Sequence, residues 1–92
     1  MIVSFSSRAL KRFWESDDAS KLPADRIVWI TMILDRLNAA TQPDDMNLPG
    51  LGFHKLSGTS KGRYAVSVSD NWRITFAWHD QDAVNVDFED YH

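Results

Sequence analysis

Apolar and polar residues alternate along this chain with two different periods, and the change of period divides it into two halves. In the first half, apolar residues recur every three or four positions, as on one face of an α-helix. In the second half they recur at every second position, as in a strand with one buried face. The pattern therefore predicts a helical half followed by a half made of strands.

Two helices are predicted in the first half. Ser6 or Ser7 can cap the first of them, over residues 8–15, and Lys11 and Arg12 of this helix face water. Its apolar face holds Leu10, Phe13 and Trp14. The second helix takes Pro23 in its first turn and ends near Thr41. Its apolar positions are Ile27, Ile30, Ile33, Leu34 and Leu37.

Proline, glycine and aspartate are frequent in residues 41–52, which are therefore predicted to form a loop. Three strands follow, and two turns separate them, one at Asp70 and Asn71 and one at residues 80–82. The apolar positions of the strands are Tyr64, Val66, Val68, then Trp72, Ile74, Phe76, Trp78, and finally Val84, Val86 and Phe88 on one face. The expected fold is α+β, a single domain over residues 1–92, with two N-terminal helices packed on one face of a mainly antiparallel sheet.

The composition is that of an ordinary folded protein, with 43% apolar and 25% charged residues. There is no cysteine, which suits a reducing cytoplasm and excludes disulfides and thiolate metal sites. No stretch approaches the roughly 20 apolar residues of a membrane span, so we expect a cytoplasmic protein without membrane contact. The net charge is −3, yet residues 52–75 carry an excess of basic side chains. These are Lys55, Lys61, Arg63 and Arg73.

The face of the sheet away from the helices is where functional side chains are expected. Arg73 on this face has two interpretations. It is either a surface residue paired with Asp87 or Glu89, worth under about 1 kcal/mol, or a rigidly held guanidinium that offers its donors to a phosphate. The sequence alone leaves both open.

Histidine is the side chain that can exchange a proton near neutral pH, and His54 and His92 are both candidates. A lone histidine is more often structural, and a terminal one is usually frayed. Tyr91 can stack on a base or close the edge of a core. The three histidines lack metal-ligand spacing, and residues 48–53 lack the glycines and lysine of a phosphate loop. We therefore expect no metal and no nucleotide cofactor.

Three segments carry a resemblance to a known family. They read FHKLSG at residues 53–58, DNWRITF at residues 70–76 and EDYH at residues 89–92. In this order and spacing they resemble the HigB branch of the RelE-like toxins, over essentially the whole chain. The resemblance implies a compact RelE-like fold and a ribosome-dependent endonuclease that cleaves mRNA in the A site without a metal.

The same resemblance implies the roles of individual residues. Arg73 would stabilise the phosphate, and His54, Asp90, Tyr91 and His92 would form the rest of the catalytic site. A histidine, His92 rather than His54, would assist removal of the 2′-OH proton. Where several relatives have a lysine, this chain has Ser57, so positive charge towards RNA phosphates would come from the basic side chains Lys55, Lys61 and Arg63. Strict alternation from Phe88 puts Tyr91 on the Arg73 face but Asp90 and His92 on the core face.

The resemblance also implies partners. A neighbouring antitoxin of the HigA type, with a helix-turn-helix, would neutralise the toxin and bind operator DNA as an autorepressor, and the ribosome with its mRNA would be the target. Two alternatives remain open at this stage. One is a ParE-like inhibitor of DNA gyrase, which needs no catalytic residues. The other is a non-catalytic module of the same fold whose acidic surface binds a protein.

Overall fold

The fold combines two helices with a four-stranded antiparallel sheet in the computed structural model, which describes residues 1–90. The helices are α1 (Arg8–Ser16) and α2 (Ile27–Ala39). The strands are β1 (His54–Lys55), β2 (Arg63–Ser67), β3 (Trp72–His79) and β4 (Asp82–Asp90). Short 3-10 turns lie in the connections at Ala24–Arg26, Pro43–Met46 and Gly58–Ser60. The predicted α+β class is confirmed.

Helix α1 begins where the sequence predicts. The Ser7 hydroxyl accepts a hydrogen bond from the backbone N–H of Leu10 at 3.2 Å, which satisfies one of the free donors of the first turn. The helix ends at Asp17, whose left-handed φ of 57° turns the chain away. Leu10 is fully buried, while Lys11 and Arg12 are exposed. The predicted faces of this helix are therefore confirmed.

Helix α2 is shorter than predicted at both ends. Its first turn was expected at Pro23, but Ala24–Arg26 form a 3-10 turn, and regular α-helix starts only at Ile27. At the other end the helix stops at Ala39 rather than near Thr41. The predicted apolar face is confirmed, since Ile27 is half-buried and the other four residues are fully buried. These are Ile30, Ile33, Leu34 and Leu37.

The strands form a meander in the order β1-β2-β3-β4, with every neighbouring pair antiparallel. The first connection includes the predicted turn residues 70–71, whereas the second turn covers residues 80–81, because Asp82 already belongs to β4. Two pairings were not predicted. The first is β1, which lies in a segment with no strand pattern. The second is a parallel pairing of the N-terminal segment with β4, through Ile2 with Ala83 and Phe5 with Val86.

A bulge in β4 corrects one prediction. The pairing register between β3 and β4 shifts between Thr75 and Ala77, and Asn85 adopts a left-handed φ of 51°. An extra residue of this kind reverses the alternation of faces beyond it. Val84 consequently lies opposite Ala77, on the face turned away from the helices. The prediction that Val84 shares a face with Val86 and Phe88 is therefore wrong.

Both helices pack against one face of the sheet and form a hydrophobic core with it. Fully buried residues from both layers build this core, and they include Leu10, Ile33, Leu37, Val66, Ile74, Phe76 and Val86. Within residues 1–90 there is no helix that is both long and apolar enough to cross a membrane. The candidate residues are thus displayed on a sheet whose other side is fixed by the helices.

Candidate active site

The face of the sheet turned away from the helices, which we call the polar face, carries three of the residues proposed from the sequence. Residues directly opposite one another in neighbouring strands share a face. The register therefore brings His54 of β1, Arg63 of β2 and Arg73 of β3 onto one surface. Its further members are Ala65, Ser67, Thr75, Asp87 and Glu89.

Arg73 is held on this face by an acidic residue of β4. Its Nη2 lies 3.2 Å from Oε1 of Glu89, directly across the sheet. The two side chains are 21% and 31% exposed, so the pair is screened by water only in part. The ion pair, which was one of the two interpretations of Arg73, is therefore present with Glu89 as the partner. A guanidinium has five N–H donors, and the exposed part of Arg73 can be reached by an anion from solvent.

Thr75 links this pair to a second arginine. It is fully buried although it belongs to the polar face, because neighbouring side chains cover it. Its hydroxyl donates to Oε2 of Glu89 at 2.8 Å and accepts from Nη2 of Arg63 at 2.9 Å. We call the chain of contacts Arg63–Thr75–Glu89–Arg73 the arginine network. It fixes both carboxylate oxygens of Glu89 with different partners.

Arg63 also fastens the bulge in β4. Besides the contact with Thr75, its Nη2 donates to the backbone carbonyl of Asn85 at 2.8 Å. The residue is half-buried, and this nitrogen atom is committed to the fold. Sequence reasoning proposed Arg63 as an RNA contact and gave no indication of this internal role.

His54 is exposed at the edge strand, and its ring orientation is set locally. Nδ1 lies 2.9 Å from the carbonyl of Gly52. A carbonyl can only accept, so Nδ1 carries the proton in this contact, and the neutral ring then presents an unprotonated Nε2. Gly52 has a φ of 59°, and a Cβ there would lie 3.3 Å from the Ser67 hydroxyl, so this turn favours glycine.

His54 lies opposite Ala65, which lies opposite Thr75, so Arg73 is two strand spacings away from His54 and two residues further along β3. Spacings of about 4.8 Å between strands and about 3.4 Å per residue place the two Cα atoms roughly 12 Å apart. Side chains of histidine and arginine are long enough to approach a common nucleotide across that gap. The polar face therefore supplies a group that can exchange a proton and a fixed cation on one surface.

Other predicted site residues lie elsewhere. Lys55 pairs with Tyr64 and Asp90 pairs with Trp72, so both belong to the side of the sheet that faces the helices. Lys61 is exposed in the connection that precedes β2. The structure thus separates Asp90 and Lys55 from the Arg73 face, as alternation predicted for Asp90.

Two predicted catalytic residues, Tyr91 and His92, lie outside the described residues. Ser57, which stands where several relatives have lysine, is exposed and precedes the 3-10 turn at Gly58–Ser60. Its carbonyl accepts from the N–H of Ser60 at 3.3 Å, so the main chain of Ser57 helps to close this turn.

Sequence reasoning named Glu89 only as a possible partner of Arg73 and did not predict its contact with Thr75. Both lie at the right spacing for the polar face, but their contact depends on the register between β3 and β4, which a single sequence does not specify. A threonine two positions after Arg73 in a strand was the available signal. It indicated a shared face and no more.

Comparison with known proteins agrees with this architecture. A family model described as the RelE-like toxin of type II toxin-antitoxin system HigB matches residues 3–92. The chain is 35% identical over 92 residues to Endoribonuclease HigB of Proteus vulgaris, with 100% of both chains covered. It is 31% identical over 87 residues to Toxin HigB-1 of Vibrio cholerae serotype O1, with 92% of each chain covered.

The family model and the α+β fold place the chain in the class of RelE-like toxins of type II toxin–antitoxin systems. Within that class, the chain belongs to the HigB-like toxin family. The resemblance read from three short segments is thereby confirmed. Toxins of these systems are paired with an antitoxin, so an antitoxin is a partner of this chain.

Proposed function

We propose that this toxin is an endoribonuclease that cleaves mRNA in the ribosomal A site and so stops translation. The observation that carries the proposal is Arg73, fixed on β3 through Glu89 with part of its guanidinium side chain open to solvent. Support comes from the relative in Proteus vulgaris, which is an endoribonuclease by name and aligns over the full length. Translation takes place in the cytoplasm, where the proposal implies that the toxin acts.

The proposed chemistry uses the RNA's own 2′-OH as nucleophile. A histidine removes its proton while the 2′ oxygen attacks the adjacent phosphorus, and the bond from phosphorus to the 5′ oxygen breaks. The leaving oxygen takes up a proton, which gives a 2′,3′-cyclic phosphate and a 5′-hydroxyl. Arg73 stabilises the negative charge that grows on the phosphate oxygens. No step requires a metal or another cofactor.

His92 is our first candidate for the base, and the free Nε2 of His54 is the second. Asp90 and Tyr91 would complete the site. Asp90 lies on the helix side of the sheet, opposite to Arg73. Its carboxylate would therefore contact the phosphate only if the end of β4 twists or if the RNA passes the end of this strand.

Basic side chains other than Arg73 would attract and bind the phosphates of the mRNA. Lys61 and Lys55 are both exposed and would contact RNA phosphates. Arg63 would act at longer range, because its Nη2 is bound to Thr75 and to the Asn85 carbonyl. We further propose that the antitoxin is of the HigA type and carries the helix-turn-helix through which the pair binds operator DNA.

The test compares wild type with Arg73→Ala in a purified translation system, with mRNA ends mapped by primer extension. Arg36→Ala is the matched control, because it removes an exposed arginine from α2 in the helix layer. We expect wild type and Arg36→Ala to cut ribosome-bound message equally. Arg73→Ala should be slower by about 10² or more, the size typical for loss of one transition-state donor.

The fragment ends distinguish the proposed chemistry from others. A 2′,3′-cyclic phosphate paired with a 5′-hydroxyl is expected, and message without ribosomes should remain intact. A 5′-phosphate product would contradict 2′-OH attack. Intact message combined with growth arrest by both wild type and Arg73→Ala would instead favour a gyrase or other protein target.

A further inference from the structure

We propose that Thr75 is a positioning residue for Arg73 and acts through Glu89. This inference rests on the proposed function, in which Arg73 stabilises the scissile phosphate. The residue itself is buried and cannot touch RNA. Its hydroxyl controls how the carboxylate beside Arg73 is held.

The hydroxyl of Thr75 is not explained by packing. A valine has nearly the same shape and would fill the same space in a strand without a polar atom to satisfy. Burial of a hydroxyl is unfavourable unless it is hydrogen-bonded, and in Thr75 it both donates and accepts. The hydroxyl therefore has a specific task in the arginine network.

The direction of each hydrogen bond follows from its partners. An ionised carboxylate only accepts and a guanidinium only donates. The Thr75 hydroxyl must therefore donate to Oε2 of Glu89 and accept from Arg63. Its hydrogen has a single orientation, which Arg63 secures from the far side.

The two carboxylate oxygens of Glu89 have different partners, and Oε1 is the one that contacts Arg73. Carboxylates and guanidinium groups otherwise favour a two-pronged pairing, which is stronger and occupies two nitrogens of the arginine. Thr75 holds Oε2 at 2.8 Å, while Oε1 lies 3.2 Å from Nη2 of Arg73. The carboxylate thus orients the guanidinium without taking the place of a phosphate.

The network also accounts for local charge. It contains two arginines and one glutamate, so it is cationic in a chain whose net charge is −3. Loss of the Thr75 hydroxyl would release Glu89 to pair with Arg73 through both oxygens. The positive charge that faces the RNA would then be neutralised more completely.

The experiment measures single-turnover cleavage of ribosome-bound message by Thr75→Val and by Thr75→Ser, each in the wild-type and in the Arg73→Ala background. We expect Thr75→Val to slow cleavage on the order of tenfold, within the range that misplacement of a catalytic group produces. Thr75→Ser keeps the hydroxyl and should remain within about twofold of wild type. In the Arg73→Ala background, Thr75→Val should cause no further loss, because the two residues act as one unit.

A second readout does not depend on cleavage. The Nε–H signal of Arg73 in a 15N-resolved NMR spectrum should shift in Thr75→Val, because its guanidinium changes partners, and should stay in place in Thr75→Ser. If Thr75→Val does not fold by circular dichroism, Glu89→Asp takes its place. The shorter side chain cannot span both Thr75 and Arg73, and the same dependence on Arg73 is expected.

The outcomes separate this inference from the proposed function. Cleavage by Thr75→Val, or by its substitute Glu89→Asp, at the wild-type rate would overturn the positioning role alone. An equal loss in both backgrounds would also overturn it, since that pattern belongs to a general structural defect. Wild-type cleavage by Arg73→Ala would overturn the role of Arg73 and this inference together.

Discussion

Asn85 is a residue whose backbone conformation serves the polar face. Its left-handed φ of 51° forms the bulge in β4. Its N–H donates to the Ser4 hydroxyl at 2.9 Å, and its carbonyl accepts from Arg63 at 2.8 Å. The bulge is therefore held from the N-terminal segment on one side and from β2 on the other.

Substitutions at Asn85 should separate conformation from side-chain contacts. Asn85→Ala is expected to lower the free energy of unfolding by about 1 kcal/mol, since a Cβ without a polar group is unfavourable at positive φ. Asn85→Gly should lower the free energy of unfolding by much less than Asn85→Ala does, because glycine adopts that φ freely. Urea denaturation monitored by circular dichroism provides the measurement. Equal stability of the two variants would contradict the conformational argument.

At this scale, the sequence predicted Arg73 and a carboxylate partner for it on the last strand. It did not predict which carboxylate, because Asp87 and Glu89 both belong to the face of Arg73. The strand register decides between them, since it places Glu89 directly opposite Arg73. It misplaced Val84, because a bulge at an asparagine leaves the alternation of apolar residues apparently intact. Residue types thus identify candidates, and pairing decides which of them touch.

The connection between α2 and the 3-10 turn at Pro43–Met46 is stabilised by one carboxylate. Asp45 accepts hydrogen bonds from the backbone N–H of Thr41 at 3.0 Å and from its hydroxyl at 3.3 Å. A further bond comes from Gln42 at 3.3 Å. These hydrogen bonds lower the pKa of Asp45 below its usual value of 3.8, and the bond from the Thr41 backbone has the largest effect.

This lowered pKa has a defined effect on the pH dependence of stability. A carboxyl whose pKa is lower in the folded state stabilises the fold above its unfolded pKa, and the contribution is lost as pH falls through the folded pKa. Asp45→Asn should therefore be less stable than wild type at pH 7. The difference should shrink as the pH falls from about 4 towards 2. Thermal melts across this range test it, and a constant difference would contradict the role of the charge.

Elements were predicted unequally well for physical reasons. The apolar period gave the buried face of α2 correctly, because that face is set by side chains over several turns. It gave the ends poorly, since Ala24–Arg26 wind as a 3-10 turn that has no distinct apolar period. Strand β1, at His54–Lys55, is too short to show an alternation. Its pairing with β2 becomes visible only in three dimensions.

At the scale of the whole molecule, acidic residues of the last strand are paired with cations, while other cations are exposed. Glu89 of β4 pairs with Arg73, and Asp82 of the same strand lies 3.4 Å from the N-terminal amino group. The exposed Lys61 lies in the connection that leads into β2, while Arg8 is exposed on the first turn of α1. Exposed cations are therefore present both beside β2 and on α1, and the side that binds RNA has to be identified by experiment.

The salt dependence of RNA binding should show which cations take part. Binding of single-stranded RNA weakens with salt by a slope of about 0.7 per phosphate contact in a double-logarithmic plot. Lys61→Gln should reduce the slope by about that amount. Arg8→Gln, on the helix layer, should leave the slope unchanged. Fluorescence anisotropy with a labelled oligonucleotide at several salt concentrations measures both, and the reverse result would move the RNA to the α1 side.

The pairing of the N-terminal segment with β4 joins regions that are made at very different times during synthesis. The Ser4 hydroxyl binds Asn85, which is 81 residues away in the sequence. The bridges of Ile2 and Phe5 also need residues of β4, so they can form only once β4 has been made. Contacts of such long range form late in folding. While residues 82–90 are still inside the ribosome, Glu89 is not yet beside Arg73, and the arginine network cannot assemble. A protein proposed to halt translation thus completes its own site only after the ribosome has finished making that strand.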